Sequence, residues 1–200
     1  MKLLRIAFII FFAVCVYFPV NTAVASPAQD QLENSIKQIL EILRDPAMKG
    51  DTAVESRREA LRKVIYERFS FKKMSQGSLA RHWKKRSKEE KNEFVKVFGQ
   101  LLEETYVSKV ESYTDEKVEY VKDIEETKKK YKIYTRIITE SVEIPIDYKM
   151  YLTKSGSWMV YDIVIEGVSL VANYRSQFNQ TLEKKSYPEL LEDLKKKLDS

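Results

Sequence analysis

The residues able to carry metal or nucleophilic chemistry are few. The 200-residue chain holds one His, His82, and one Cys, Cys15, whereas a zinc site built from imidazole and thiolate takes three or four such ligands. Its five glycines are dispersed and form neither G-x-G-x-x-G nor G-x-x-x-x-G-K-[ST], so the phosphate-cradling loops that open a helix are absent. His82 stands beside Trp83 with no G-x-S-x-G nucleophile pattern near it and reads as a capping or surface residue. Asp147 and Asp162 are the carboxylates that burial could turn into general bases, but the local sequence offers neither a matching His nor a second carboxylate. No catalytic residue, metal ligand or cofactor is therefore assigned.

The elements that position these residues follow from hydrophobic period. Leu32, Ile36, Ile39, Leu40 and Leu43 recur at helical spacing and Pro46 ends the run. Asp51 or Thr52 can cap a second helix carrying Val54, Leu61, Val64, Ile65 and Phe69. A short helix is expected from Phe71 to Trp83. Ser87-x-x-Glu90 is a capping box opening a long helix with Phe94, Val97, Phe98, Leu101, Leu102, Tyr106 and Val110 on its buried face. After Tyr113 the period falls to two. Strands are expected at Lys117 to Ile124 and Tyr131 to Thr139, joined by a turn from Glu125 to Lys130, then at Val142 to Leu152 and Trp158 to Glu166. Pro145 is awkward in a central strand unless it faces a bulge or an unpaired edge. The strand from Trp158 is apolar on nearly both faces, so both should be covered. Gly167 releases the chain into a helix with Leu170, Val171, Tyr174 and Phe178, and Tyr187-Pro188 starts a last one. The expectation is an α+β domain, with N- and C-terminal helices packed on a curved four-stranded antiparallel sheet.

Composition narrows the setting. Lys2 and Arg5 precede an apolar run from Ile6 to Phe18, followed by Pro19 and the small-residue end Ala23-Val24-Ala25, the pattern of a secretory signal peptide. The run is shorter than the roughly 20 apolar residues that span a bilayer. Residues 1–25 are read as a leader cleaved after Ala25 and 26–200 as a single domain, exported and without the only thiol. Removing Lys2 and Arg5 lowers the 35 bases to 33 against 30 acids, a net charge of +3. Bases and acids are interspersed, so no concentrated basic face for nucleic acid is expected.

Three stretches resemble a known family: Phe69-Ser-Phe-Lys-Lys-Met74-Ser-Gln-Gly-Ser-Leu79-Ala-Arg-His-Trp83; Phe94-x-x-Val97-Phe98-x-x-Leu101-Leu102-x-x-Thr105-Tyr106; and Trp158-Met-Val-Tyr161-Asp162-Ile-Val-Ile-Glu166-Gly167-Val-Ser169-Leu170-Val-x-Asn173-Tyr174-Arg175-Ser-Gln177-Phe178. From about Leu32 to Leu198 the chain resembles the MlaC family, periplasmic phospholipid-binding proteins also described as toluene-tolerance auxiliary proteins. The resemblance implies an NTF2-like architecture holding phospholipid tails in a cavity between helices and sheet. It also implies a periplasmic carrier that maintains outer-membrane lipid asymmetry; a monomer is expected. Its implied partners are an outer-membrane lipoprotein complex and an inner-membrane ABC transporter with an MCE-domain subunit. The family's usual Asp between the first two aromatics is Ser70 here, and its usual Gly after Leu79 is Ala80; both departures bear on helix-loop geometry.

A lipid with two chains of roughly 15 methylenes each carries on the order of 24 kcal/mol of apolar transfer free energy at about 0.8 kcal/mol per CH₂. A carrier must replace nearly all of that contact, which calls for a deep apolar cavity. The candidate walls are Ile144, Ile146 and Tyr148 on one strand, Tyr161, Ile163 and Ile165 on the next, and Leu102, Tyr106 and Val110 on the long helix. By residue type alone the same side chains equally fill a solid core. Tyr106, Tyr148, Tyr161 and Tyr174 can line an apolar wall while offering a hydroxyl to water or a lipid ester, or else sit in ordinary core. Arg175 can present a planar fork to a lipid phosphate, or else form an ion pair with Asp162 or Glu166. Lys84-Lys85-Arg86 and Lys195-Lys196-Lys197 suit an anionic surface or a solvated helix face. Two other functions stay open at this level: a small enzyme using an NTF2-like pocket with Asp162 or Asp147 as base, and an exported protein-binding scaffold.

Overall fold

The computed structural model describes residues 25–113 and 116–199, so all of the proposed leader, residues 1–25, except Ala25 lies outside the described residues. Among the described residues six α-helices and five strands follow in the order α1 (Pro27–Arg44), α2 (Val54–Arg68), α3 (Phe71–Leu79), α4 (Lys88–Glu111), β1 (Lys117–Thr127), β2 (Lys130–Ile138), β3 (Glu143–Leu152), β4 (Trp158–Ile165), β5 (Val168–Ser169), α5 (Leu170–Leu182) and α6 (Tyr187–Leu198). The strands form one antiparallel meander in the order β1-β2-β3-β4-β5.

Local chemistry sets most helix ends. α1 begins five residues before the apolar period shows itself, because the Ser26 side chain accepts from the Gln29 N–H and Pro27 occupies the first turn. The expected box at α4 is present: Ser87 and Glu90 satisfy each other's backbone N–H groups. Ser186 and Glu189 do the same at α6. The expected cap at Asp51 or Thr52 is not: Asp51 to Ala53 form a 3₁₀ turn running into α2, whose start carries no side-chain cap. The helix expected from Phe71 to Trp83 breaks at Leu79, where Ala80 takes φ 44°, ψ −115° before a 3₁₀ segment to Lys85. Ser70 caps α3 by accepting from the Lys73 N–H, the work a carboxylate would otherwise do.

The sheet has five strands instead of four. Glu166 and Gly167 both have positive φ and make a two-residue turn, folding Val168 and Ser169 back onto Val164 and Ile165; a two-residue strand is too short to show a period. The turn before β2 is also tighter than expected, since pairing continues to Thr127 and Lys130. Pro145 fits because its carbonyl faces the β4 side, accepting from Glu166 N–H at 3.0 Å. Its missing N–H therefore falls at the end of the β3–β4 ladder and not in the β2 ladder.

A register shift in β4 governs the site. Asp162 pairs with Lys149 but Val160 pairs with Met150, leaving Tyr161 as the extra residue. Before the bulge the inward residues are Trp158 and Val160; after it they are Ile163 and Ile165, opposite Tyr148 and Ile146. The buried apolar residues fall into two clusters. One gathers Ala28 and Leu32 of α1 with Ile133, Met150, Trp158 and Val160. The other is helical and is centred on Phe94 and Phe98, stacked at 5.6 Å, with Phe178 edge-on to both at 5.5–5.7 Å. No buried residue belongs to both clusters.

Candidate functional site

Between the two clusters lies a cavity of about 480 Å³, partly open to solvent, within the range of small-ligand sites. α1 supplies Leu32, Ile36, Ile39, Leu40 and Leu43; α2 supplies Leu61 and Ile65; α4 supplies Leu102, Tyr106 and Val110; the sheet supplies Ile137, Ile144, Ile146, Tyr148, Ile163 and Ile165. Ile36, Ile39, Leu40, Ile65, Ile144 and Ile163 sit on the apolar faces of their elements yet remain only partly buried, because their surface faces this space and not another side chain. The walls thus hold apolar area that the fold's own packing leaves uncovered.

Eight of the eleven residues singled out from the sequence line the cavity: Leu102, Tyr106, Val110, Ile144, Ile146, Tyr148, Ile163 and Ile165. Three do not. Tyr161 is turned to the outer face by the bulge, where its ring meets Tyr151 edge-on at 6.1 Å and Lys130 stands 5.6 Å over it. Tyr174 belongs to the helical cluster, edge-on to Phe98 at 5.0 Å. Arg175 is exposed and donates from Nε to the carbonyl of Gly77 at 2.8 Å, tying α5 to the end of α3. The ion pair considered for it does not form: Asp162 instead accepts from Lys149 Nζ at 3.1 Å, Ser169 Oγ at 2.7 Å and the Val171 N–H at 3.1 Å, capping α5.

Polar groups at the cavity are sparse. Burial pushes the Tyr148 hydroxyl pKa well up, with Tyr113 adding to the effect, and burial raises Tyr106 as well, so both remain neutral phenols. Arg58, Arg62, Glu103 and Lys109 mark the α2–α4 side, and Glu116 and Glu166 also reach the lining. Glu111 is pulled two ways: burial raises its carboxyl pKa, but hydrogen bonds from Arg58 and Arg57 outweigh this and hold it below the usual range. Asp147 and Asp162, the candidate bases, are outside the lining and tied to lysines, Asp147 to Lys132 at 2.9 Å. His82 is also off the cavity, 3.1 Å from Asn179 Oδ1. Lys195 and Lys196 pair with Glu93 and Glu192 as a solvated helix face does. Among the described residues no three His, Cys, Asp or Glu side chains converge on a metal-sized gap.

Sequence reasoning missed the contribution of α1 and α2. Their stripes were legible, but a stripe that covers a core and one that faces a void have the same period; the signal was the surplus of apolar faces over what one sheet can cover.

An α+β domain with an apolar chamber between its helices and its antiparallel sheet defines a class of small-molecule-holding folds. Within it, this chain belongs to the MlaC family: the family model described as MlaC protein matches residues 33–196. The intermembrane phospholipid transport system binding protein MlaC of Haemophilus influenzae is 31% identical over 99 residues, covering 46% of this chain and 45% of that protein. The alignment thus spans about half the length of that curated relative. A phospholipid-binding protein from Ralstonia solanacearum, determined in complex with a phospholipid, superimposes with a TM-score of 0.77 at 21% identity, covering 88% of this chain and all of that one. The fold is shared with it.

Proposed function

We propose that the protein is a non-catalytic phospholipid carrier that buries acyl chains in the cavity and moves lipid through the aqueous periplasm between outer and inner membranes. The observation that carries this reading is the surplus of partly buried apolar wall around a space of about 480 Å³: an acyl chain is the guest that needs such a surface and offers little else to hold. The named relatives support the same ligand class, one being a phospholipid transport binding protein and the other holding a phospholipid. The positions of Asp147 and Asp162, outside the cavity and paired with lysines, support the non-catalytic reading over one with either carboxylate as a base.

The reading includes export, with residues 1–25 removed, and handover to the partners the family resemblance implies, an outer-membrane lipoprotein complex and an inner-membrane ABC transporter with an MCE-domain subunit. Supporting the cleavage position, the Ser26 N–H lies 2.9 Å from Asp123 Oδ2, so hydrolysis after Ala25 would set the new ammonium against a carboxylate. The test is transfer of a fluorescent phospholipid from donor to acceptor phosphatidylcholine vesicles. Transfer proportional to protein concentration is expected, and a folded protein that leaves the lipid in the donor overturns the reading.

A further inference from the structure

One side of the chamber carries a row of ion pairs between two helices. On α2, Arg58, Arg62 and Tyr66 stand one turn apart; facing them along α4 are Glu111, Glu103 and Gly99, separated by multiples of four residues. Arg62 donates to Glu103 Oε1 from Nε at 2.9 Å and from Nη2 at 2.6 Å. Arg58 Nη2 lies 3.1 Å from Glu111 Oε2, and Arg57 Nε lies 2.9 Å from Glu111 Oε1 while its Nη1 donates to the Met48 carbonyl at 2.8 Å. At the foot of the row, the Tyr66 hydroxyl stands 3.4 Å from the place a Cβ on Gly99 would take. Arg58, Arg62, Tyr66, Glu103 and Val107 all line the cavity. α2 and α4 are therefore joined by a ladder of charges directly over an apolar space.

The α1 side is closed differently. There Ala28 and Leu32 are buried in the sheet-side cluster, with Ile36 and Tyr120 packed against it. Opening that contact would expose apolar area to water. Opening the α2–α4 ladder exposes groups that water solvates well; the Arg62–Glu103 pair, with side chains 41% and 19% accessible, contributes little net stability, while Arg57 and Arg58 with the more buried Glu111 form the firmer end of the row. Acyl chains cannot cross the packed clusters without breaking them, so the wall of least resistance is the charged one.

We propose that the α2–α4 seam is the portal for the acyl chains, latched by Arg62 with Glu103 and by Arg57 and Arg58 with Glu111; this deepens the carrier reading and rests on it. The guest is a two-chain lipid whose tails pass between the helices while its polar end meets the charged rim. Salt screens the latch and so speeds exchange.

The test uses the processed chain, free of Cys15, with Arg62→Cys and Glu103→Cys bridged by a short bismaleimide. It is loaded beforehand with pyrene-labelled phosphatidylcholine, and release into phosphatidylcholine vesicles is followed. Bridging is expected to slow release at least tenfold while the lipid stays bound, and release at the unbridged rate overturns the portal. A matching bridge at Glu93→Cys and Lys195→Cys, a 2.6 Å contact between α4 and α6 away from the chamber, should leave release unchanged; equal slowing by both bridges also overturns it. Glu103→Gln, unbridged, should release several-fold faster at low salt and lose most of its salt dependence, and an unaltered salt slope counts against the latch. Failure of the wild-type chain to hold or release lipid at all would instead overturn the carrier reading on which the portal rests.

Discussion

Ile163→Asp places a carboxylate on the cavity wall directly across from Tyr148. Against hydrocarbon, the new side chain must take up a proton or remain ionised without water. The first course is the cheaper. Protonating a carboxyl of ordinary pKa near 3.9 at pH 7 costs about 4 kcal/mol at 1.36 kcal/mol per unit, and the lost isoleucine contact adds about 1.5–3 kcal/mol. Lipid affinity should therefore fall by at least about 10³-fold, at about 1.4 kcal/mol per decade. The lipid-free fold should suffer less, because Ile163 is only partly buried and faces a void. The assay is quantitative mass spectrometry of lipid co-purifying with the variant, with Tyr161→Asp as the contrast, since the bulge puts that neighbour on the outer face. Because the introduced carboxyl is raised in the lipid-bound state, binding should recover as the pH falls. Equal lipid on the wild type and Ile163→Asp, or loss by both variants alike, would refute the assignment of the inner face.

Ala80→Gly should stabilise the protein by about 1 kcal/mol, because Ala80 holds a positive φ that costs an L side chain about that much; the urea midpoint should rise, with unchanged slope. Asp162→Asn should cost about 2 kcal/mol by leaving Lys149 unpaired and weakening the α5 cap, read from thermal unfolding, while the folded fraction keeps its lipid. The Glu111 carboxyl pKa is held low by Arg58 and Arg57 against the opposing effect of burial, so its contribution is present above pH 4.5 and lost as the pH falls through the folded-state value. Glu111→Gln should accordingly flatten the acid limb of stability, and an unchanged limb would show that the pair contributes nothing.

What the sequence disclosed depended on the range of the interactions concerned. Ser87-x-x-Glu90 fixed the start of α4 because both partners of the cap lie within one turn. The alternation from Ile144 to Leu152 placed one face of β3 inward correctly, since nothing interrupts that strand's side-chain period. The same reasoning failed on Tyr161 because the bulge is a property of two paired strands, and reading β4 by strict alternation put Tyr161 on the face of Ile163. Tyr174 and Arg175 were misplaced because their surroundings come from α3 and α4, distant in the chain. Ala80 was visible as a departure from the family pattern, while its strained backbone was not.

The central claim is that the chamber holds acyl chains. Protein purified without detergent and denatured into organic solvent should release phospholipid at close to one molecule per chain, identified by mass spectrometry. A folded preparation free of lipid, which also takes none from phospholipid vesicles, would contradict it.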